Sequence, residues 1–156
     1  MSLEIERKFL LKDSSWRAQV ERSEYLAQGY LGGTRCSVRI RVAGETAWLN
    51  VKGRTLGASR LEFEYPIPRA DADLMLRELA DGPMVSKLRH YVSIGEHIFE
   101  IDEFDGANAG LVVAEVELER EDQSYPQPEW LGTEVTLDSR YYNVNLVRNP
   151  FTQWDS

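Results

Sequence analysis

The sequence has one cysteine, Cys36, and two histidines, His90 and His97. A lone cysteine excludes an intramolecular disulfide and points to a reducing compartment, read here as the cytoplasm. So few thiols and imidazoles argue against a zinc cluster, and both histidines read as surface or packing residues. No apolar run approaches the roughly 20 residues of a membrane span. Charge at residues 4, 6, 7 and 8 leaves no apolar segment for a signal peptide. Basic residues are the minority, 18 against 26 acidic ones, for a net charge of −8 and a pI near 4.8. That balance argues against a surface built for nucleic acid or anionic membrane, but it does not constrain a concave site where charge is segregated. Linkers, internal repeats and low-complexity segments are also missing. The 156 residues, 42% of them hydrophobic, therefore read as one domain, residues 1–156.

What is present is alternation with period two, bounded by turn residues. Eight strands are expected, at about 3–11, 26–31, 36–43, 46–53, 59–68, 85–93, 97–105 and 111–120. The joins at Ala43-Gly44-Glu45, Gly53 to Ala58, Gly95-Glu96 and Gly106 to Gly110 suit antiparallel neighbours. Ser14 or Ser15 could cap a helix running to about Arg22, and Asp71 another through Ala80 with Leu74, Met75 and Leu79 as its apolar stripe. Past residue 120 the pattern dissolves into a proline-bearing loop, followed by a short helix around Arg140 to Val147. An antiparallel barrel or sandwich with a few helices is the economical reading.

The strands carry their charges on one face. Glu4, Glu6 and Lys8 alternate with Leu3, Ile5, Arg7 and Phe9; Arg39 and Arg41 with Val38, Ile40 and Val42. Lys52 opposes Leu49 and Val51, and Glu62 and Glu64 oppose Leu61, Phe63 and Tyr65. Lys87 and Arg89 share a face, as do Glu100 with Asp102 and Glu115 with Glu117. For any single strand an outward, solvated face is the ordinary reading. Together the pairs fit it less well, because they are uniform in sign within most strands. Like charges at i, i+2 sit about 7 Å apart. They repel by about 0.6 kcal/mol in water, but by about 2.4 kcal/mol at an effective dielectric near 20. Enclosed, such pairs need counter-charges.

If these faces point into a closed barrel, eight carboxylates (4, 6, 62, 64, 100, 102, 115 and 117) meet six bases (Lys8, Arg39, Arg41, Lys52, Lys87 and Arg89). Divalent metal would make such a lumen positive enough for a polyanion. Oxygen-only ligands suit Mg²⁺ or Mn²⁺. Arginines offer forked donors to phosphate oxygens, and lysines act as mobile point charges.

The stretch "EIERKF" resembles the Glu-x-Glu-x-Lys signature of the CYTH superfamily, the triphosphate tunnel metalloenzymes. The resemblance continues in order through "QGYL", "VRIR", "LNVKG", "EFEY", "SKLRHY", "FEIDEF", "VAEVEL" and "SRYYNVNL". It implies a mainly β, α+β fold: an eight-stranded antiparallel closed tunnel with a charged lumen and a few flanking helices. It also implies cleavage or rearrangement of a small-molecule triphosphate with Mg²⁺ or Mn²⁺. By that resemblance Glu4, Glu6 and Glu117 match the metal ligands with Glu115 close by. Glu62, Glu64 and Asp102 are further acidic candidates. Arg39, Arg41, Lys52, Lys87 and Arg89 match the phosphate clamp. Lys8 touches phosphate, and with Tyr30 it resembles a pair that helps activate the attacking water. The tail departs from relatives that carry lysines where this chain has Tyr142 and Val144. The implied activity is hydrolysis of inorganic triphosphate to pyrophosphate and phosphate. The alternatives are a class IV adenylyl cyclase, a thiamine- or nucleoside-triphosphatase, and a non-catalytic polyphosphate-binding module. Neither a nucleic-acid nor a membrane partner is expected, and the oligomeric state stays open.

Overall fold

The computed structural model describes residues 3–32, 35–54 and 57–155. Nine strands lie among them: β1 (Leu3–Leu11), β2 (Arg22–Leu31), β3 (Ser37–Ala43), β4 (Thr46–Lys52), β5 (Ser59–Ile67), β6 (Val85–Ile94), β7 (His97–Phe104), β8 (Val112–Leu118) and β9 (Leu131–Glu134). Two α-helices accompany them, α1 (Arg69–Glu78) and α2 (Asn143–Arg148). The sheet order is β5-β4-β3-β2-β6-β7-β8-β1, every pair antiparallel, and β5 returns to pair with β1. Eight strands thus close into a barrel, which removes the open edges a flat sheet would leave. The seam is short: Leu3, Glu4 and Ile5 face Leu61, Arg60 and Ser59. Further along β1, the same edge passes to β9, with Phe9 opposite Glu134 and Leu11 opposite Leu131. A Cβ on Gly132 would come within 2.6 Å of the Leu10 carbonyl oxygen, so only glycine lets β9 approach this closely.

The eight expected barrel strands are all present, and three details differ. The expected helix from Ser14 or Ser15 to Arg22 shortens to a 3-10 turn at Ser15–Gln19, and β2 begins at Arg22. Asp13 holds that turn by accepting from the Ser15 amide at 2.8 Å, and strand pairing with Tyr91 to Val85 claims Arg22 onward. Helix α1 begins at Arg69 because the Pro68 carbonyl accepts its first helical bond, from the Ala72 amide. This start turns Leu74 and Leu79 outward, 51% and 59% exposed. Ala72, Met75 and Leu76 pack on Ile40, Val42 and Ala47 instead. Strand β9 was not expected from the aperiodic tail at all. The expected join from Gly53 to Ala58 runs through residues 55 and 56, which lie outside the described residues.

Because the charged faces turn inward, the main apolar core lies outside the barrel. Ile5, Phe9, Phe99, Ile101, Ala114 and Val116 project outward from β1, β7 and β8 and are covered by Trp16 and Trp130. Trp130 meets Phe99 edge-on with centroids 5.4 Å apart, and its indole N–H donates to Gln19 at 2.7 Å. His90 is a packing residue on the same outer wall. Its ring packs against Trp16 at a 52° tilt, centroids 5.1 Å apart, and its nitrogens meet Ser23 Oγ and Glu103 Oε1. A separate apolar cluster fills one end of the barrel. Val85, Phe104 and Val113 continue the inward faces of β6, β7 and β8, and Tyr141 and Leu146 of the C-terminal segment close over them.

Trp130 couples the aperiodic tail to the outer core. Trp130→Ala should cost about 3–5 kcal/mol of stability, read from urea unfolding curves; a loss under about 1 kcal/mol would show that the tail is not part of the core.

Candidate active site

Directly opposed residues of antiparallel strands share a face, so pairing carries one inward face around the barrel. Glu6 faces Glu117 and Lys8 faces Glu115. Glu100 faces Glu115, and Arg89 faces Asp102. Tyr30 faces Arg39 and Gln28 faces Arg41, while Lys52 and Asn50 face Glu62 and Glu64. These faces enclose a cavity of about 240 Å³. Of the sequence-derived candidates, Glu4, Glu6, Lys8, Tyr30, Arg39, Arg41, Lys52, Glu62, Glu64, Lys87, Arg89, Glu115 and Glu117 all line it. Asp102 does not.

Asp102 is fully buried behind the wall. Its two oxygens accept from Arg89 at 2.7 and 2.8 Å, and Oδ2 also meets Lys87 Nζ at 2.8 Å. Against the penalty of burial, these cations hold its carboxyl below the usual range. Among the metal-ligand candidates it is the one that does not reach the cavity, and its contacts are those of a counter-ion to Arg89 and Lys87.

The remaining charges divide the lumen. On one side burial and the neighbouring carboxylates of Glu115 and Glu4 push Glu6 well above the usual carboxyl range. Burial, with Glu4 and Glu62, also raises Glu117. Glu115 itself, despite burial, is held well down by Lys8, Arg89 and Lys87. Glu4 pairs with Lys52 at 3.2 Å and Arg60 at 3.1 Å. Lys8 donates to Glu115 at 3.2 Å. Burial works against its charge, but Glu115 and Glu6 prevail and raise its pKa. A lysine so held stays protonated: it offers hydrogen bonds and is unavailable as a base.

On the other side lies β3, four strands from β8 in either direction around the barrel. Among the described residues Arg39 and Arg41 have no carboxylate partner within ion-pairing distance. Arg39 Nε donates to Asn50 at 3.4 Å and Arg41 Nε to Gln28 at 2.9 Å, both neutral amides. Burial, with Arg39 and Arg89 nearby, lowers Arg41 to about 10. Burial, opposed by Asp102 and assisted by Arg89 and Arg41, brings Lys87 down to about 7. Two guanidinium groups without carboxylate partners, Arg39 buried and Arg41 half-buried, form a site that an added polyanion would complete.

Sequence reasoning passed over Arg60, Asn50, Gln28 and Asn143 as site residues. The first three were legible. Arg60 stands two residues before Glu62, Asn50 two before Lys52 and Gln28 two before Tyr30, each on the inward parity. Asn143 comes from the tail, where no periodicity points inward.

Among the described residues, no three acidic, histidine or cysteine side chains are already gathered as a formed metal site. The donor set still fits a hard divalent cation. Glu6 is an oxygen donor crowded by Glu115 and Glu4, and Glu117 one crowded by Glu4, Glu62 and Glu100, with no cationic partner for Glu117 within ion-pairing distance among the described residues. A bound cation would relieve that crowding.

Removing the two kinds of cation should have opposite consequences for folding. Arg89→Met leaves Asp102 short of its bidentate partner and should cost about 3–5 kcal/mol. Arg41→Met removes a repelled charge and should stay within about 1 kcal/mol of wild type. Equal losses in denaturant unfolding would refute the division of the lumen.

The CYTH domain family model matches residues 2–147. An inorganic triphosphatase of Acetivibrio thermocellus is 42% identical over 152 residues, 97% of this chain and 97% of the relative. An inorganic triphosphatase of Nitrosomonas europaea is 35% identical over 149 residues, 92% of this chain and 96% of the relative. A solved crystal structure of an inorganic triphosphatase covers 92% of this chain and 97% of its own, with 33% identity and a TM-score of 0.65. The matched span takes in all eight barrel strands and the residues of α2 that reach the lumen, and the chain belongs to the CYTH domain family.

Proposed function

We propose that this protein hydrolyses inorganic triphosphate to pyrophosphate and phosphate inside the barrel, with Mg²⁺ or Mn²⁺ as cofactor. The observation that carries the reading is the pair Arg39, buried, and Arg41, half-buried, each with a neutral amide partner and set across the lumen from the carboxylates of β1 and β8. The named activity of the two relatives supports it. The whole chain, residues 1–156, acts as one tunnel domain in the cytoplasm on a small molecule, without nucleic-acid or membrane partners.

Phosphoryl transfer asks a protein mainly for positioning and charge neutralisation. Arg39, Arg41, Lys52, Lys87 and Arg89 hold the phosphate chain along the lumen through its non-bridging oxygens. Lys8, kept protonated by Glu115 and Glu6, donates to a phosphate oxygen and orients the terminal phosphoryl group. Tyr30 Oη accepts from Gln28 Nε2 at 3.2 Å, which leaves its own proton for the substrate. Glu4, Glu6, Glu115 and Glu117 would hold the cation, with Glu62 and Glu64 on the adjoining wall. When bound, the cation offsets phosphate charge and makes water a better nucleophile. Water oxygen bonds to the terminal phosphorus as the bond to the bridging oxygen breaks; pyrophosphate leaves with that oxygen, and the water's two protons stay on the phosphate formed or pass from it to solvent.

The substrate assignment is tested by kinetics on triphosphate and ATP, with phosphate, pyrophosphate and cyclic AMP all quantified. We expect kcat/KM for triphosphate to exceed that for ATP by at least about tenfold, a difference of about 1.4 kcal/mol. Cyclic AMP from a preferred ATP would establish the cyclase alternative. Turnover of neither substrate with any divalent metal would leave a binding module.

The cofactor assignment has its own check. Excess EDTA should abolish turnover, and Glu117→Gln should lower kcat at least about 100-fold in a folded protein. Tyr30→Phe should lower kcat more than it raises KM. Wild-type rates in EDTA or in Glu117→Gln would remove the metal site, and an unchanged kcat would return Tyr30 to a packing role.

A further inference from the structure

We propose that Gln28 and Asn143 are positioning residues of the phosphate clamp, two neutral amides that fix Arg41, Tyr30 and Lys87 relative to one another. This rests on the triphosphatase reading above and assigns work to residues outside the clamp itself.

The hydrogen bonds form one unbroken chain. Arg41 Nε donates to Gln28 Oε1 at 2.9 Å. Gln28 Nε2 donates to Tyr30 Oη at 3.2 Å and to Asn143 Oδ1 at 3.0 Å. Lys87 Nζ donates to the same Asn143 oxygen at 2.9 Å. Beyond Lys87 the chain continues through Asp102 to Arg89. It crosses β3, β2, α2, β6 and β7.

The direction of each amide is dictated by a cation that cannot accept. A guanidinium group has only donors, so Gln28 must turn its oxygen to Arg41 and its nitrogen away. Lys87 Nζ lies 2.8 Å from Asp102 and 2.9 Å from Asn143 and donates to both, so Asn143 presents its oxygen to Lys87, and that oxygen then also receives Gln28. Gln28 has no solvent exposure, and reversing either amide would face donor to donor in a buried site.

Neutral acceptors suit this task. A carboxylate in place of either amide would orient the cations equally well, but it would also neutralise them and occupy the phosphate's role. Amides hold like charges in register and leave the positive charge for the substrate. Asn143 also stands at the first position of α2, so the clamp geometry is tied to the segment that covers the apolar end of the barrel.

The test uses Asn143→Leu, Gln28→Met and the double variant, with thermal unfolding as the control for folding. Asn143 is half-buried at the cavity wall, so its variant keeps the test open if Gln28→Met folds poorly. Each single variant should raise KM for inorganic triphosphate at least about tenfold; Asn143→Leu should keep kcat within about threefold, the signature of lost ground-state and transition-state binding alike, whereas Gln28→Met, which also releases Tyr30, should lower kcat as well. The double variant should raise KM no further than the worse single, because both act through one chain. A KM within about twofold of wild type in either folded single variant, or effects that multiply in the double, overturns the proposal. Wild-type protein without triphosphate turnover overturns the substrate reading, and this inference with it; wild-type turnover with unmoved variants overturns only the inference.

Discussion

The bidentate contact between Arg89 and Asp102 organises the interior. Both groups are buried, and the carboxylate lies in a wall that water does not reach. An uncompensated charge there would cost several kcal/mol, so Asp102 obliges β6 to keep Arg89 and Lys87 turned inward. Arg89 in turn reaches Glu100 at 2.9 Å and Glu115 at 3.7 Å. Through Glu115 the connection passes to Lys8 on β1. One fully buried carboxylate thus sets the register of cations and anions across four consecutive strands.

An interior committed to charge has to be held together from outside. The apolar residues that would fill a sandwich core face outward here and are covered by Trp16, Trp130 and α1. Stability and chemistry therefore occupy opposite faces of the same strands. Apolar packing behind the wall stabilises the closed barrel, and like charges in the lumen are tolerated because that packing and the ion pairs offset their repulsion.

The lumen is graded by the kind of partner each cation has. Lys8, Lys52, Arg60, Lys87 and Arg89 touch carboxylates; Arg39 and Arg41 touch amides. Cations with carboxylate partners shape the cavity. Cations with neutral partners keep a positive charge that an added polyanion would offset. The acidic wall across from them, with Glu6 and Glu117 both raised, is suited to a divalent cation that would join the two sides.

Period-two alternation made the barrel strands and their inward charges legible from the sequence, because face and parity are local properties of an extended chain. Glu4, Glu6, Lys8, Arg39, Arg41, Lys87, Arg89, Glu115 and Glu117 were readable on that basis, and Arg60, Asn50 and Gln28 lay on the same parity. Parity could not tell Asp102 from Glu100. They share a face two residues apart, yet one is sealed beneath Arg89 and the other lines the cavity. Nor could it place β9, whose pairing with β1 depends on Gly132 meeting Leu10 across more than a hundred residues of chain. Asn143 reaches the lumen only because the tail folds back over the barrel end and Tyr141 and Leu146 find Val85 and Phe104. The sequence alone determined which side chains share a face. Tertiary structure decided which of them meet, because closure, burial depth and the return of a distant segment depend on contacts between residues remote in the chain.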